Sequence, residues 1–443
     1  MMHRRATAPH PATHRAPAAQ ATEPRRTRAV RVAGLLAAPL CGVGVLAGVA
    51  PVAAADRLPT LPAVAPGQHE PVYHPGAPVP QRFGLADYVG YVSDVSSHSW
   101  GIYTDVIAGY EGLRHNPAVM ARNLDTVVAI NNAAADNPAL VARAQQDAKA
   151  DQDGLLGAFA DAFGEDLAPH VRAALAEHRL PKTEMLLGGG WFARAGGVAS
   201  SMFVEKEIYK NPRPFVAAPE RIHRYEVPDR QLYLSSKSFP SGHTNQATWT
   251  TTLLAVMLPE LGPQFLARGS EAGYNRVVMG VHYPLDVIAG RMTGTAAAAD
   301  RWNDPKMRAN LQAAAEEIRA ELSWRCGDTF AHCVAAQAAA GHAYSADPVG
   351  EYTARATYGW TADGTTGATD APMIVPQAAP DLLLGAHPTL TWEQRRQVLA
   401  ATALPAGLPL DDQGSRGSWQ RLNLAKAMTA SVTIGDDGHV TVH

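Results

Sequence analysis

The chain has 443 residues, 46% apolar and 18% charged, with three cysteines and 7% aromatics. Such length and apolar content exclude a disordered tail, and so few cysteines exclude a disulfide-dense scaffold or a cluster-binding protein, so a hydrophobic core must carry the fold. The formal charge of −3 joins two unlike parts: residues 1–55 hold seven arginines against Glu23, and the other 388 residues carry 31 bases against 40 acids, an acidic body that disfavours nucleic acid and anionic membranes as partners.

In chain order, residues 1–55 read as a signal peptide. Arg25, Arg26, Arg28 and Arg31 precede an apolar run from Val32 to Val52, which ends in Ala53-Ala54-Ala55 before Asp56, a small-residue cleavage site. A membrane anchor is the alternative reading; the Gly and Pro content of the run and its Ala-x-Ala ending favour cleavage. Arg25-Arg26 hints at twin-arginine export, but Thr27-Arg28-Ala29 matches it poorly, and the route stays open. No later stretch is apolar for the roughly 18 residues a membrane span needs, so the mature chain is expected to be soluble, secreted or periplasmic, without stable membrane insertion. Cleavage would remove Cys41 and leave Cys326 and Cys333, which in an exported protein suggest one local disulfide; two buried free thiols are the alternative.

Residues 56–80 are Pro-rich and read as an extended lead-in. Residues 81–324 are helical in pattern. Met307, Leu311, Ala315, Ile318 and Leu322 form one face of a helix behind Asp304 as cap and Pro305 at its first position, and similar patterns cover 117–148 and 154–178. Residues 325–443 read as a loop-rich extension that ends in a β-hairpin, Val432–Ile434 and Val440–Val442 around Gly435-Asp436-Asp437-Gly438. The expected architecture is a mainly α helical bundle with this tail.

Three blocks carry chemistry. Lys206 precedes Arg213, which stands between Pro212 and Pro214 in a segment stiff enough to preorganise its guanidinium for an oxyanion; the helix holding Lys206, capped by Ser200 or Ser201, should end near Lys210. Pro240-Ser241-Gly242-His243 puts Ser241 at a helix cap, where unpaired N–H groups and the positive dipole end favour an anion. Arg276 comes next, then His282 and Asp286 four apart across a helix start at Pro284, so that the carboxylate can fix one imidazole nitrogen and present the other. Singly, each has a bland reading: solvated or paired charges, a common Ser-Gly cap, a histidine pairing with an acid. Together they supply three cations, a helix-end cradle, two histidines and an orienting carboxylate, a set suited to phosphoryl transfer, and no cluster at metal spacing accompanies them.

These blocks resemble the three signature blocks of the type 2 phosphatidic acid phosphatase and vanadium haloperoxidase superfamily. Phe239 to Thr244 and Arg276 to His282 look especially like its soluble bacterial class A acid phosphatases, over residues 200 to 295. The resemblance implies a bundle with the site at one end. His282 would be the nucleophile, oriented by Asp286, and His243 the general acid and base. Lys206, Arg213, Ser241, Gly242 and Arg276 would bind the phosphoryl oxygens of a small phosphomonoester. It implies no cofactor; a vanadate-dependent haloperoxidase, with vanadate on His282, is the first alternative, and a non-catalytic phosphate-binding protein the second. Asn275 departs from the family's pattern, which has serine before the arginine.

Overall fold

In a computed structural model, the structure describes residues 69–96, 98–188, 193–196, 202–227 and 236–443. The expected signal segment, most of the lead-in, and Ser200 and Ser201 lie outside these residues.

Helix Gly242–Met257 is buried along nearly its whole length although it carries five threonines and a tryptophan among its apolar residues. A helix buried on all sides needs neighbours on all sides, and small residues bring them close. A Cβ on Gly290 would stand 2.6 Å from the Ser241 carbonyl oxygen, and one on Gly294 2.7 Å from that of Asn245. Helix Pro284–Asn303 therefore lies backbone to backbone against the Gly242 helix. Gly269 and Gly273 of helix Gly262–Val278 receive the side chains of Thr251 and Thr244. These three helices form the centre of the described bundle.

Around them pack helix Pro117–Ala133, capped by Asn116, helix Pro138–Asp147, capped by Asn137, and helix Pro305–Cys326, capped by Asp304. In the last, Met307, Leu311, Ala315, Ile318 and Leu322 are all buried, the face expected from their spacing. The pattern expected over 154–178 is broken into short pieces, Leu155–Ala158, Ala160–Phe163 and Ala168–Ala176; Phe159 leaves helical geometry between the first two, and Gly164, with a positive φ of 90°, ends the second.

The region after residue 325 holds more helix than its composition suggests: Phe330–Ala339, Pro348–Thr357, Trp392–Ala401 and Leu424–Thr429. Each is ten residues or fewer and each starts at a side-chain cap, Thr329, Asp347, Thr391 or Asn423. Capping, rather than long apolar periodicity, defines such elements. Their buried residues join the cluster that runs from Tyr91 to Val440, and Arg291 of the central bundle donates to the carbonyls of Gln420 and Leu422. The hairpin pairs Val432 with Val442 and Ile434 with Val440, antiparallel as expected. Cys326 and Cys333 form a disulfide at the end of the Pro305 helix.

Candidate active site

The turn that carries His282 is built from both sides. Gly280 has φ +67°, and a Cβ there would meet Ile222 Cγ2 at 2.3 Å, so the turn between the Gly262 and Pro284 helices requires glycine. Asn131 Nδ2 donates to the Val278 carbonyl at 2.7 Å, and the Leu285 N–H donates to Asn123 Oδ1 at 3.1 Å, pinning the turn to helix Pro117–Ala133. A second apolar cluster, including Val127, Phe215, Ile222, Val277, Val281 and Val287, packs beneath it.

His282 emerges 1% exposed. Its Nδ1 lies 3.2 Å from Asp286 Oδ2, which also accepts the Tyr283 N–H at 2.9 Å. Its Nε2 lies 3.1 Å from Arg213 Nη1. A guanidinium can only donate, so Nε2 presents its lone pair and Nδ1 carries the proton. Burial, and then the charges of Arg213, Lys206 and Arg276, push His282 well below the ordinary histidine range, so the ring is neutral. Burial raises Asp286.

Arg213 is extended, with φ −71° and ψ 154°, between its two prolines as expected. Its fork also donates to the Val281 carbonyl at 2.7 Å, to Ser236 Oγ at 2.7 Å and to the Ser236 carbonyl at 3.2 Å. Helix Phe203–Tyr209 ends at Lys210, where it was expected to stop, and Glu205 anchors it by accepting the Tyr103 N–H at 2.8 Å. From it Lys206 Nζ donates to the carbonyls of Lys237, Ser238 and Pro240 at 2.9, 3.1 and 2.7 Å. All three ammonium hydrogens can thus serve the loop that leads into the Gly242 helix. Lys206 frames that loop and acts on the site as a charge, a duty its sequence neighbourhood did not announce. Burial, aided by Arg213, lowers its pKa.

Ser241 caps the Gly242 helix: its Oγ accepts the Thr244 N–H at 3.3 Å and the Thr244 hydroxyl at 2.8 Å, which directs its own hydrogen to a further acceptor. The Ser241 N–H donates to the Asp286 carbonyl at 3.0 Å, so the two helix starts adjoin. His243, in the first turn, faces Asp151 of the short helix Ala150–Asp153, Nε2 to Oδ1 at 3.6 Å. Sequence reasoning missed Asp151, because a four-residue helix has no periodicity to flag. Burial and the charge of Arg276 lower His243, against the pull of Asp151. Arg276 is fully buried at the end of the Gly262 helix. Asn275 turns away from it and donates to Asp147 Oδ2 at 2.7 Å, so this departure serves helix packing. Among the described residues, no group of three or more His, Cys, Asp or Glu side chains is arranged to hold a metal ion.

The fold and the site therefore combine a helical bundle with a deeply buried, cation-rich cluster around the His282 imidazole. A sequence model of the PAP2 superfamily matches residues 189–308, the stretch that contains all three blocks. Over these residues the chain carries a PAP2 superfamily domain match. It is 30% identical over 180 residues to a non-specific acid phosphatase of Providencia stuartii, covering 40% of this chain and 66% of that protein. It is 31% identical over 168 residues to a non-specific acid phosphatase of Salmonella typhimurium, covering 36% and 63%. A decaprenylphosphoryl-5-phosphoribose phosphatase of Mycolicibacterium smegmatis is 33% identical over 133 residues, covering 29% and 66%. The chain thus spans just under two thirds of the length of these relatives.

Proposed function

We propose that the protein is an exported acid phosphatase that hydrolyses small phosphomonoesters through a phosphohistidine on His282, without a metal ion. The observation that carries this reading is the geometry of the His282 ring, with Nε2 3.1 Å from Arg213 Nη1 and Nδ1 3.2 Å from Asp286, where burial and the charges of Arg213, Lys206 and Arg276 depress its proton affinity. The likeness to two non-specific acid phosphatases supports it.

In the proposed reaction the phosphoryl oxygens are held by the Arg213 and Arg276 guanidinia, the Ser241 hydroxyl and the Gly242 N–H, with Lys206 adding charge. The His282 Nε2 lone pair forms an N–P bond as the ester P–O bond breaks, and His243 gives its proton to the leaving oxygen. Water then attacks phosphorus, His243 takes a proton from it, and the N–P bond breaks to release phosphate and restore His282. Asp286 holds the Nδ1 hydrogen throughout and balances the positive charge that the ring gains on attack. Each charge-assisted hydrogen bond contributes about 1.5–3 kcal/mol and one general acid about 10²–10⁴ in rate, so the groups must act together.

Export rests on the signal-like pattern of residues 1–55 and on the Cys326–Cys333 disulfide, which oxidising compartments favour. Among the described residues, no helix is long and apolar enough to cross a membrane. The test of function is hydrolysis of an aryl phosphate in excess chelator. Activity that depends on added divalent metal contradicts the reading. In His282→Ala, phosphate binding should survive while turnover disappears; persistent turnover would remove His282 from the mechanism.

A further inference from the structure

Helix Pro138–Asp147 ends on a buried clamp. Asp147 is bonded by Arg268 Nη1 at 3.1 Å and by Asn275 Nδ2 at 2.7 Å, and Arg268 is fully buried. The clamp fixes this end of the helix to the Gly262 helix, one residue before Arg276. Four residues after Asp147, the short helix Ala150–Asp153 presents Asp151. Its carboxylate is 5% exposed and points Oδ1 at His243 Nε2 across 3.6 Å, with the His243 side chain 12% exposed. The segment from Asp147 to Asp151 is thus tied at one end to the helix that carries Arg276 and aims a carboxylate at the proposed acid at the other. Such placement of a charge in a nearly dry site has a cost, which a task can offset.

We infer that Asp151 is a positioning residue for His243, holding the imidazole in one orientation and stabilising its protonated form. The inference rests on the proposed phosphatase reaction and assigns Asp151 no proton of its own. When His243 is cationic, the pair closes by about half an ångström into a charge-assisted hydrogen bond. When His243 has given its proton to the leaving oxygen, the attraction falls, so the carboxylate favours the state that precedes ester cleavage. The groups acting on His243 are Arg276 and Arg213, which depress its proton affinity together with burial, Asp151, which raises it, and the His282 ring. Among these groups Asp151 is the one that opposes the arginines and burial, so removing its charge lowers the proton affinity of His243 further.

The test is Asp151→Asn, which keeps the shape and removes the charge. Two esters are compared by kcat/KM, the constant that covers the steps through first cleavage: an alkyl phosphate, whose alkoxide needs a proton to leave, and 2,4-dinitrophenyl phosphate, whose leaving group does not. The inference expects a loss of about 10- to 100-fold for the alkyl ester and less than about threefold for the dinitrophenyl ester. The alkaline limb of the pH profile should move about one unit toward acid, because His243 loses its proton sooner. Asp151→Glu should restore most of the alkyl-ester rate, and Asp151→Asn added to His243→Ala should cost nothing further. Equal losses on both esters, an unmoved limb, or a further loss in the double variant would overturn the inference. A wild-type chain that hydrolyses no phosphomonoester would sink the functional reading instead. Even then, NMR titration of His243 decides the pairing, since its pKa must fall in Asp151→Asn and an unchanged pKa refutes the contact.

Discussion

Arg213→Lys separates geometry from charge. The arginine uses three nitrogens in three directions: Nε to the Ser236 carbonyl, Nη2 to Ser236 Oγ, and Nη1 to both the Val281 carbonyl and His282 Nε2. Lysine keeps the positive charge but offers one nitrogen in place of three separated ones, so it cannot reach acceptors that the fork meets in three directions. At about 1.5–3 kcal/mol for each charge-assisted bond, losing two directions would cost about 3–6 kcal/mol if nothing relaxed. Retained charge and repacking reduce that to about 2–4 kcal/mol, or about 30- to 1,000-fold in kcat/KM. The assay is steady-state hydrolysis of an aryl phosphate at the optimum pH, with circular dichroism to confirm folding. The low-pH limb should stay in place, since the charge that depresses His282 remains. A kcat/KM within about threefold of wild type would refute the argument, because charge alone would then suffice.

Other outcomes follow from the same geometry. Arg276→Met removes a charge that depresses His282, so the acid limb of kcat/KM should move to higher pH; a limb that stays put or moves down would remove Arg276 from the field on His282. Gly280→Ala places a Cβ 2.3 Å from Ile222 Cγ2 at positive φ and should cost about 2–4 kcal/mol in denaturant unfolding, with loss of activity because His282 lies two residues on. Replacing Cys326 and Cys333 by serine opens a short loop in the unfolded chain and should lower stability by about 2–3 kcal/mol without changing kcat; an activity loss at full folding would tie this end of the bundle to the site.

The three blocks were legible because their information is local. Pro212 and Pro214 stiffen Arg213, Ser241 caps its own helix, Pro284 starts the next, and His282 meets Asp286 across one turn; spacing along the chain decides each. What stayed hidden depends on contacts between distant segments. Lys206 reads as a phosphate ligand, yet its hydrogens serve three carbonyls of a loop some thirty residues away. Asn275 departs from the family's pattern beside Arg276, and the structure gives it a partner, Asp147, that no local pattern points to. Asp151 sits in a four-residue helix far ahead of His243. The fold follows the same division: the long Pro305 helix was visible in its apolar face, whereas the short capped helices beyond residue 325 were not.

The proposed reaction requires a covalent bond between phosphorus and His282. Rapid alkaline quenching during turnover of a ³²P-labelled monoester, in excess chelator, followed by peptide mapping tests it most directly. A phosphohistidine at this position leaves acid-labile, base-stable label on the peptide containing His282, absent in His282→Ala. Turnover with no trapped label, or label on another residue, would contradict it.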